Sequence, residues 1–155
     1  FRLNRLTYYG VVVMSQMASR DDLRSAQQIS DSTAIPLPTV SKILHALSQA
    51  ELVVAQRGAS GGYRLVRPAN EIPVSEVIQA LEGPIALTAC VEGAESHCDV
   101  ERLCPMSGGW NKVNTAIREA LKTVTLADMA AVPEAFLAPE KGDGQAEKSI
   151  DITSK

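Results

Sequence analysis

The chain has only three cysteines and two histidines in 155 residues, and both scarcities limit what it can do. An odd count of thiols does not suit a disulfide framework of the secreted kind. Most of the chain has none: Cys90, Cys98 and Cys104 all fall within ACVEGAESHCDVERLC, residues 89–104. A thiol nucleophile needs a base and groups to orient it, and the only imidazoles are His45 and His97. No enzyme activity is expected. Long apolar runs are also missing. No stretch approaches the ~18 consecutive apolar residues of a membrane span, and FRLNRLTYYGVVVMSQ lacks the apolar core and cleavage site of a secretory signal. The expectation is a cytoplasmic protein with no membrane partner and no small-molecule substrate.

An apolar content of 45% over this length is enough for one domain with its own core. The net charge of -3 conceals an asymmetry. Residues 1–70 carry eight Lys and Arg against four Asp and Glu, and residues 71–155 carry seven against fourteen. The basic half is the place to look for nucleic acid, although charge alone leaves that open.

Hydrophobic spacing organises that half. Leu3, Leu6, Tyr9, Val13 and Met17 recur at steps of three and four, which predicts a helix over about residues 5–19. Ser25 can cap a short second helix by accepting from free amides of its first turn, with Ala26, Ile29 and Ala34 facing inward. Pro36 and Pro38 mark another start, because the amide that proline lacks is one the first turn leaves unpaired. From Thr39 onward, Val40, Ile43, Leu44 and Leu47 define a third helix, with Ser41, Lys42, His45 and Gln49 on its other faces. Two β-prone runs, residues 52–56 and 63–66, flank Gly58, Gly61 and Gly62 and predict a hairpin.

Three helices followed by a hairpin is the order of a winged helix-turn-helix, whose third helix enters the major groove of double-stranded DNA. A generic α+β domain with a hairpin is the bland alternative. On the DNA reading, base contacts fall to Thr39, Ser41, Lys42 and His45, with Lys42 suited to a guanine edge. Arg2, Arg5, Lys42, Arg57 and Arg64 are the candidate cations for phosphates. The bland alternative for each is an ordinary solvated side chain.

In VSEVIQALEGP, Val74, Val77, Ile78 and Leu81 predict a fourth helix stopped by Gly83 and Pro84. Trp110, Val113, Ile117, Ala120 and Val124 then form a seam long enough to pack along a partner helix. Two-fold operators are read by two-fold proteins, so a homodimer on a palindromic operator is expected. Burial of the seam against its own domain would leave the same pattern. From about Pro139 the chain is polar and expected to be disordered. The expected architecture is mainly α with a small β hairpin. A winged helix-turn-helix DNA-binding region occupies residues 1–70. A connecting helix, cysteine loop and long dimerisation helix occupy 71–130, and a largely disordered tail 131–155.

Thiolates are soft ligands suited to iron-sulfur clusters or zinc. Seven residues separate Cys90 from Cys98 and five separate Cys98 from Cys104. Both gaps exceed the tight knuckle of about two to four residues in structural zinc sites. Spacing alone leaves a cluster, zinc, inert buried thiols and a catalytic thiol all open.

RLNRLTYYG, the stretch VAQRGASGGYRLVRPANEIPVSEVIQALEG and the clustered cysteines before a long helix together resemble the bacterial iron-sulfur-sensing winged-helix regulators of the IscR, NsrR and RirA type. The resemblance covers about residues 2–130, and HCDVERLCPMSGGWNKVNTAIREALKTVTLADMA is most similar to the branch that regulates the SUF operon of iron-sulfur assembly. It implies a transcriptional repressor whose Cys90, Cys98 and Cys104 are metal ligands of an iron-sulfur cluster, two-iron (2Fe-2S) or four-iron (4Fe-4S). It also implies that Ser60, Gly61, Gly62 and Tyr63 form the DNA-contacting tip of the wing, where glycine lets backbone approach the minor groove or phosphates. A nitric-oxide- or iron-responsive repressor of the same family, or a zinc-stabilised DNA-binding protein, are the alternatives. The sequence departs from its relatives at the fourth ligand. Ser107 stands where some relatives carry a His, and Tyr8 where others carry an Asp that reaches over from the second subunit. His97, Glu92, Glu95, Asp99 and Glu101 are the local candidates, with water or a small thiol as external ones.

Overall fold

The computed structural model describes residues 2–89, 91, 94 and 105–131. Among them the chain forms α1 (Arg5–Ala18), α2 (Ala26–Thr33), α3 (Leu37–Gln49), β1 (Val53–Gln56), β2 (Gly62–Leu65), α4 (Val74–Glu82), α5 (Ser107–Thr123) and α6 (Leu126–Ala130). The expected class, mainly α with a small hairpin, is the one observed. Cys90, Cys98 and Cys104, the local ligand candidates His97, Glu92, Glu95, Asp99 and Glu101, and the tail from residue 132 lie outside the described residues. No described helix is long and apolar enough to cross a membrane.

Helix α1 starts where the Asn4 side chain accepts from the Thr7 amide at 2.8 Å, satisfying one of the amides a first turn leaves free. The spacing pattern understated its burial. Besides Val13 and Met17, it buries Thr7, Gly10, Val11 and Met14, because α2, α3, α4, α6 and β2 all pack on it. Gly10 lets α4 come close: a Cβ there would stand 2.1 Å from Leu81 Cδ1.

Ser25 caps α2 as expected and does so reciprocally. Its hydroxyl accepts from the Gln28 amide at 3.1 Å, and the Gln28 side chain accepts from the Ser25 amide at 2.9 Å. Ala34 does not face inward. It is an exposed C-cap in the left-handed conformation, φ 57°, which turns the chain before its side chain can reach the core. Ile35 takes the buried place. Helix α3 begins at Leu37 rather than Thr39, with Pro36 as its N-cap and Pro38 inside the first turn. Its stripe of Val40, Ile43, Leu44 and Leu47 is fully buried.

The hairpin pairs antiparallel from Val53 opposite Leu65 to Gln56 opposite Gly62. Arg24 adds an isolated antiparallel bridge to β2 that the sequence pattern did not reveal. Its amide donates to the Tyr63 carbonyl at 3.0 Å and its carbonyl accepts from the Tyr63 amide at 2.8 Å. Residues beyond the hairpin return to the same core, where Ile72, Val77 and Leu126 pack with Val13 and Ile43. A smaller cluster of Val74, Ile78 and Ile85 takes up Leu3, Ile117 and Leu121, and this fastens α5 to α4. Helix α6 was also not anticipated. The Leu126 amide donates to the Ile72 carbonyl at 2.8 Å and the Val74 amide to the Val124 carbonyl at 2.9 Å.

Two predictions follow from local geometry. A non-glycine residue in the left-handed region costs about 1–2 kcal/mol, part of which glycine returns through unfolded-chain entropy. Ala34→Gly is therefore expected to raise stability in urea by about 0.5–1 kcal/mol, and a loss would show that the turn is held by something other than φ. At α6, the Thr125 amide and hydroxyl both donate to Asp128 Oδ2, at 2.8 and 2.9 Å. The amide bond first, then the hydroxyl, holds this carboxyl below its ordinary value of 3.8. Its contribution is then present above that value and lost as pH falls through the lowered one. The stability gap between wild type and Asp128→Ala should shrink as pH drops below 3.8, and a gap constant down to pH 3 would refute this.

Candidate functional site

The fold presents the third helix as the sequence reading required. Ser41, Lys42 and His45 are exposed on one face of α3, opposite the buried stripe, and Thr39 is half-buried beside them. The helix and the hairpin are joined by a tight turn in which Glu51 is left-handed, φ 58°, and the Leu52 amide donates to the Leu47 carbonyl at 3.0 Å. At the wing, Arg57 and Ser60 are exposed, whereas Gly61, Gly62 and Tyr63 are half-buried. Tyr63 packs against the core. The close approaches made by the two glycines here are to the protein itself. A Cβ at Gly61 would stand 2.2 Å from the Gln56 carbonyl oxygen, and one at Gly62 would stand 2.6 Å from the Arg24 carbonyl carbon.

The candidate cations do not gather in one place. Arg2 and Arg5 are exposed at the start of α1. The far end of that helix, at Met17 and Ala18, lines a cavity of about 400 Å³ with Arg64, so about 18 Å of helix separates Arg5 from the base of the wing. Arg20, Arg64 and Arg67 line this cavity together with Asp21. Arg67 is committed elsewhere, since it pairs with the Glu76 carboxylate and donates to the Glu71 carbonyl at 3.0 Å. Arg20 and Arg64 have no ion-pair partner among the described residues. Sequence reasoning passed over Arg20 because only the fold brings the end of α1 against β2.

The cysteine segment runs from α4 to α5, and its entry is well anchored. Ile85 and Val91 are buried. Asn114 of α5, only 2% exposed, donates from Nδ2 to the Ile85 carbonyl and accepts from the Leu87 amide, both at 3.0 Å. No sequence signal marked Asn114, which reads as one polar residue on an amphipathic helix. Helix α4, which feeds this segment, is held at both ends. Glu76 pairs with Arg67 at the base of the wing, and Glu82 accepts from the Asn4 amide at 2.8 Å where α1 begins. Tyr8 is 60% exposed beside Tyr9, their rings 5.9 Å apart, and Ser107 opens α5. As a donor set, three thiols in one stretch of sequence fit an iron-sulfur cluster or zinc, both of which take soft sulfur ligands.

A helix-turn-helix whose third helix turns a polar face outward, with a hairpin wing built on it and an exposed Arg57 on that wing, defines a winged-helix DNA-binding transcription regulator. The family described as Rrf2, iron-dependent transcriptional regulator, matches residues 3–132, and the chain belongs to that family. Its members are DNA-binding regulators and not enzymes. The chain is 30% identical to the HTH-type transcriptional regulator NsrR of Oceanobacillus iheyensis over 138 residues, 88% of this chain and 94% of that protein. Among solved structures it is similar to T. potens IscR, with a TM-score of 0.64 and 28% identity over 83% of this chain and 85% of that one. It is also similar to CymR (YrzC), the global cysteine regulator of B. subtilis, with a TM-score of 0.65 and 26% identity over 84% and 96%.

Removing the Asn114 amide would leave a buried carbonyl and a part-buried amide without this partner. Asn114→Ala is expected to lower stability by roughly 2 kcal/mol, measured by equilibrium denaturation. A loss below about 0.5 kcal/mol would mean that water replaces the side chain and that the anchor is not structural.

Proposed function

We propose that this chain is an iron-sulfur-cluster-containing repressor of iron-sulfur assembly (SUF) genes, cytoplasmic, acting as a homodimer on a palindromic operator. The observation that carries this reading is the confinement of all three cysteines to one segment between α4 and α5 in an Rrf2-family chain. Cys90, Cys98 and Cys104 are its metal ligands. A cluster, when bound, supplies a redox-fragile cross-link among those thiolates. The protein's part is to place the segment, through Asn114 and Ile85, and to relay its state through α4. That helix touches the base of the wing through Glu76 and the start of α1 through Glu82. The exposed Trp110, Val113 and Val124 of the α5 seam support a second copy as the partner. Thr39, Ser41, Lys42 and His45 read bases, Arg2, Arg5 and Arg57 neutralise phosphates, and Ser60, Gly61, Gly62 and Tyr63 lie along the backbone as the wing.

Sensing requires that the loaded and empty states differ in operator affinity. A coupling of about 1–3 kcal/mol corresponds to roughly 5–150-fold. The cluster-loaded form is the tighter binder in this reading. Protein purified without air should contain iron and acid-labile sulfide, and at one fixed salt concentration should bind its operator at least about fivefold more tightly than the same protein stripped of iron. Zinc without sulfide would replace the sensor with a structural metal. Equal affinities of the two forms would end the sensing mechanism.

A further inference from the structure

The tip of α3 is apolar where the rest of its outer face is polar. Pro36, Leu37 and Pro38 are all exposed, and Leu37, the first residue of the helix, is 38% accessible. Three consecutive exposed apolar residues are a fault in a folded surface unless something covers them. The core does not need them, since the buried stripe of α3 starts at Val40. The tip is also poor in donors for an acceptor on a base or a phosphate, the Leu37 amide being the one main-chain N–H it leaves over. It has no side-chain cap, the two prolines have no amide to donate, and the amides of Thr39 and Val40 are already given to the Pro36 carbonyl at 2.9 and 3.0 Å.

In helix-turn-helix docking, the N-terminal residues of the second helix of the motif are those that meet base edges in the major groove. The one apolar group displayed there is the 5-methyl of thymine. We propose that Leu37, framed by Pro36 and Pro38, reads thymine methyl groups of the operator, and so sets sequence preference at positions next to those read by the polar residues one turn on. This rests on the reading of α3 as the groove helix. It adds a specificity-determining residue of different chemistry from Ser41, Lys42 and His45.

The test uses the full chain, purified without air, and an operator selected from a random duplex library. Each thymine is replaced in turn by deoxyuridine, which removes only the methyl. Burial of one methyl-sized group is worth roughly fourfold in affinity. Wild type should lose about that at one or more thymines. Leu37→Ala should bind the thymine operator about as weakly and be indifferent to uracil at the same position. Leu37→Met, which keeps an apolar contact, should retain the discrimination, and an unchanged melting temperature for both variants checks the fold. Lys42→Ala should weaken thymine and uracil duplexes in the same proportion, which marks α3 as the groove helix independently of Leu37. Equal binding of thymine and uracil at every position by wild type, or full discrimination surviving in Leu37→Ala, would overturn the proposal. No effect from either Leu37→Ala or Lys42→Ala would remove α3 from the groove and take both readings down together.

Discussion

Burial of α1 on nearly every side is the constraint around which the rest is arranged. Between Arg5 and Arg20 the chain carries no charged residue. Val13 and Met14 are wholly inaccessible, and Val11 and Met17 nearly so. A helix that apolar over most of its circumference is stable only when surrounded, and here α2, α3, α4, α6 and β2 share the task. The consequence reaches function. The helix that presents Lys42 and His45, the strand that carries Tyr63 and the helix that leads into the cysteines are all positioned against one common element.

The same arrangement explains how α4 can influence the DNA-facing side. It touches α1 closely at Gly10, where any side chain would run into Leu81, and it holds two polar contacts at opposite ends, Glu76 with Arg67 and Glu82 with the Asn4 amide. Packed interfaces do not deform smoothly but pass between discrete arrangements. Helix α4 thus has one polar contact at the base of the wing and another at the first turn of α1.

Much of this could be read from residues alone, for identifiable reasons. The stripe of α3 and the cap of α2 are local signals, and the interval from Val40 to Leu47 and the Ser25–Gln28 pair fall in a single helix each. Gly61 and Gly62 marked the hairpin correctly, but their necessity comes from Gln56 and from the remote Arg24. What escaped depends on contacts distant in sequence. Asn114 bonds to Ile85 and Leu87, Leu126 to Ile72, and Arg20 and Arg64 line one cavity only after β2 folds against the end of α1. Ala34 was misread because its place in a helical period said nothing about where the helix would stop. The exposure of Leu37 has no local signal, because Pro36 and Pro38 mark where a helix begins and not the surface it offers.

The hold of Asn114 on residues 85 and 87 has one more consequence, for the chain that leaves it. By chain length alone, shortening the connection between α4 and α5 from residues 83–106 to residues 88–106 changes the entropy of loop closure by only roughly 0.2 kcal/mol. The anchor thus does little by restricting wandering. Its effect is one of aim: it fixes the point and heading from which the thiol-bearing chain departs, so mutations there would misdirect that chain rather than loosen it.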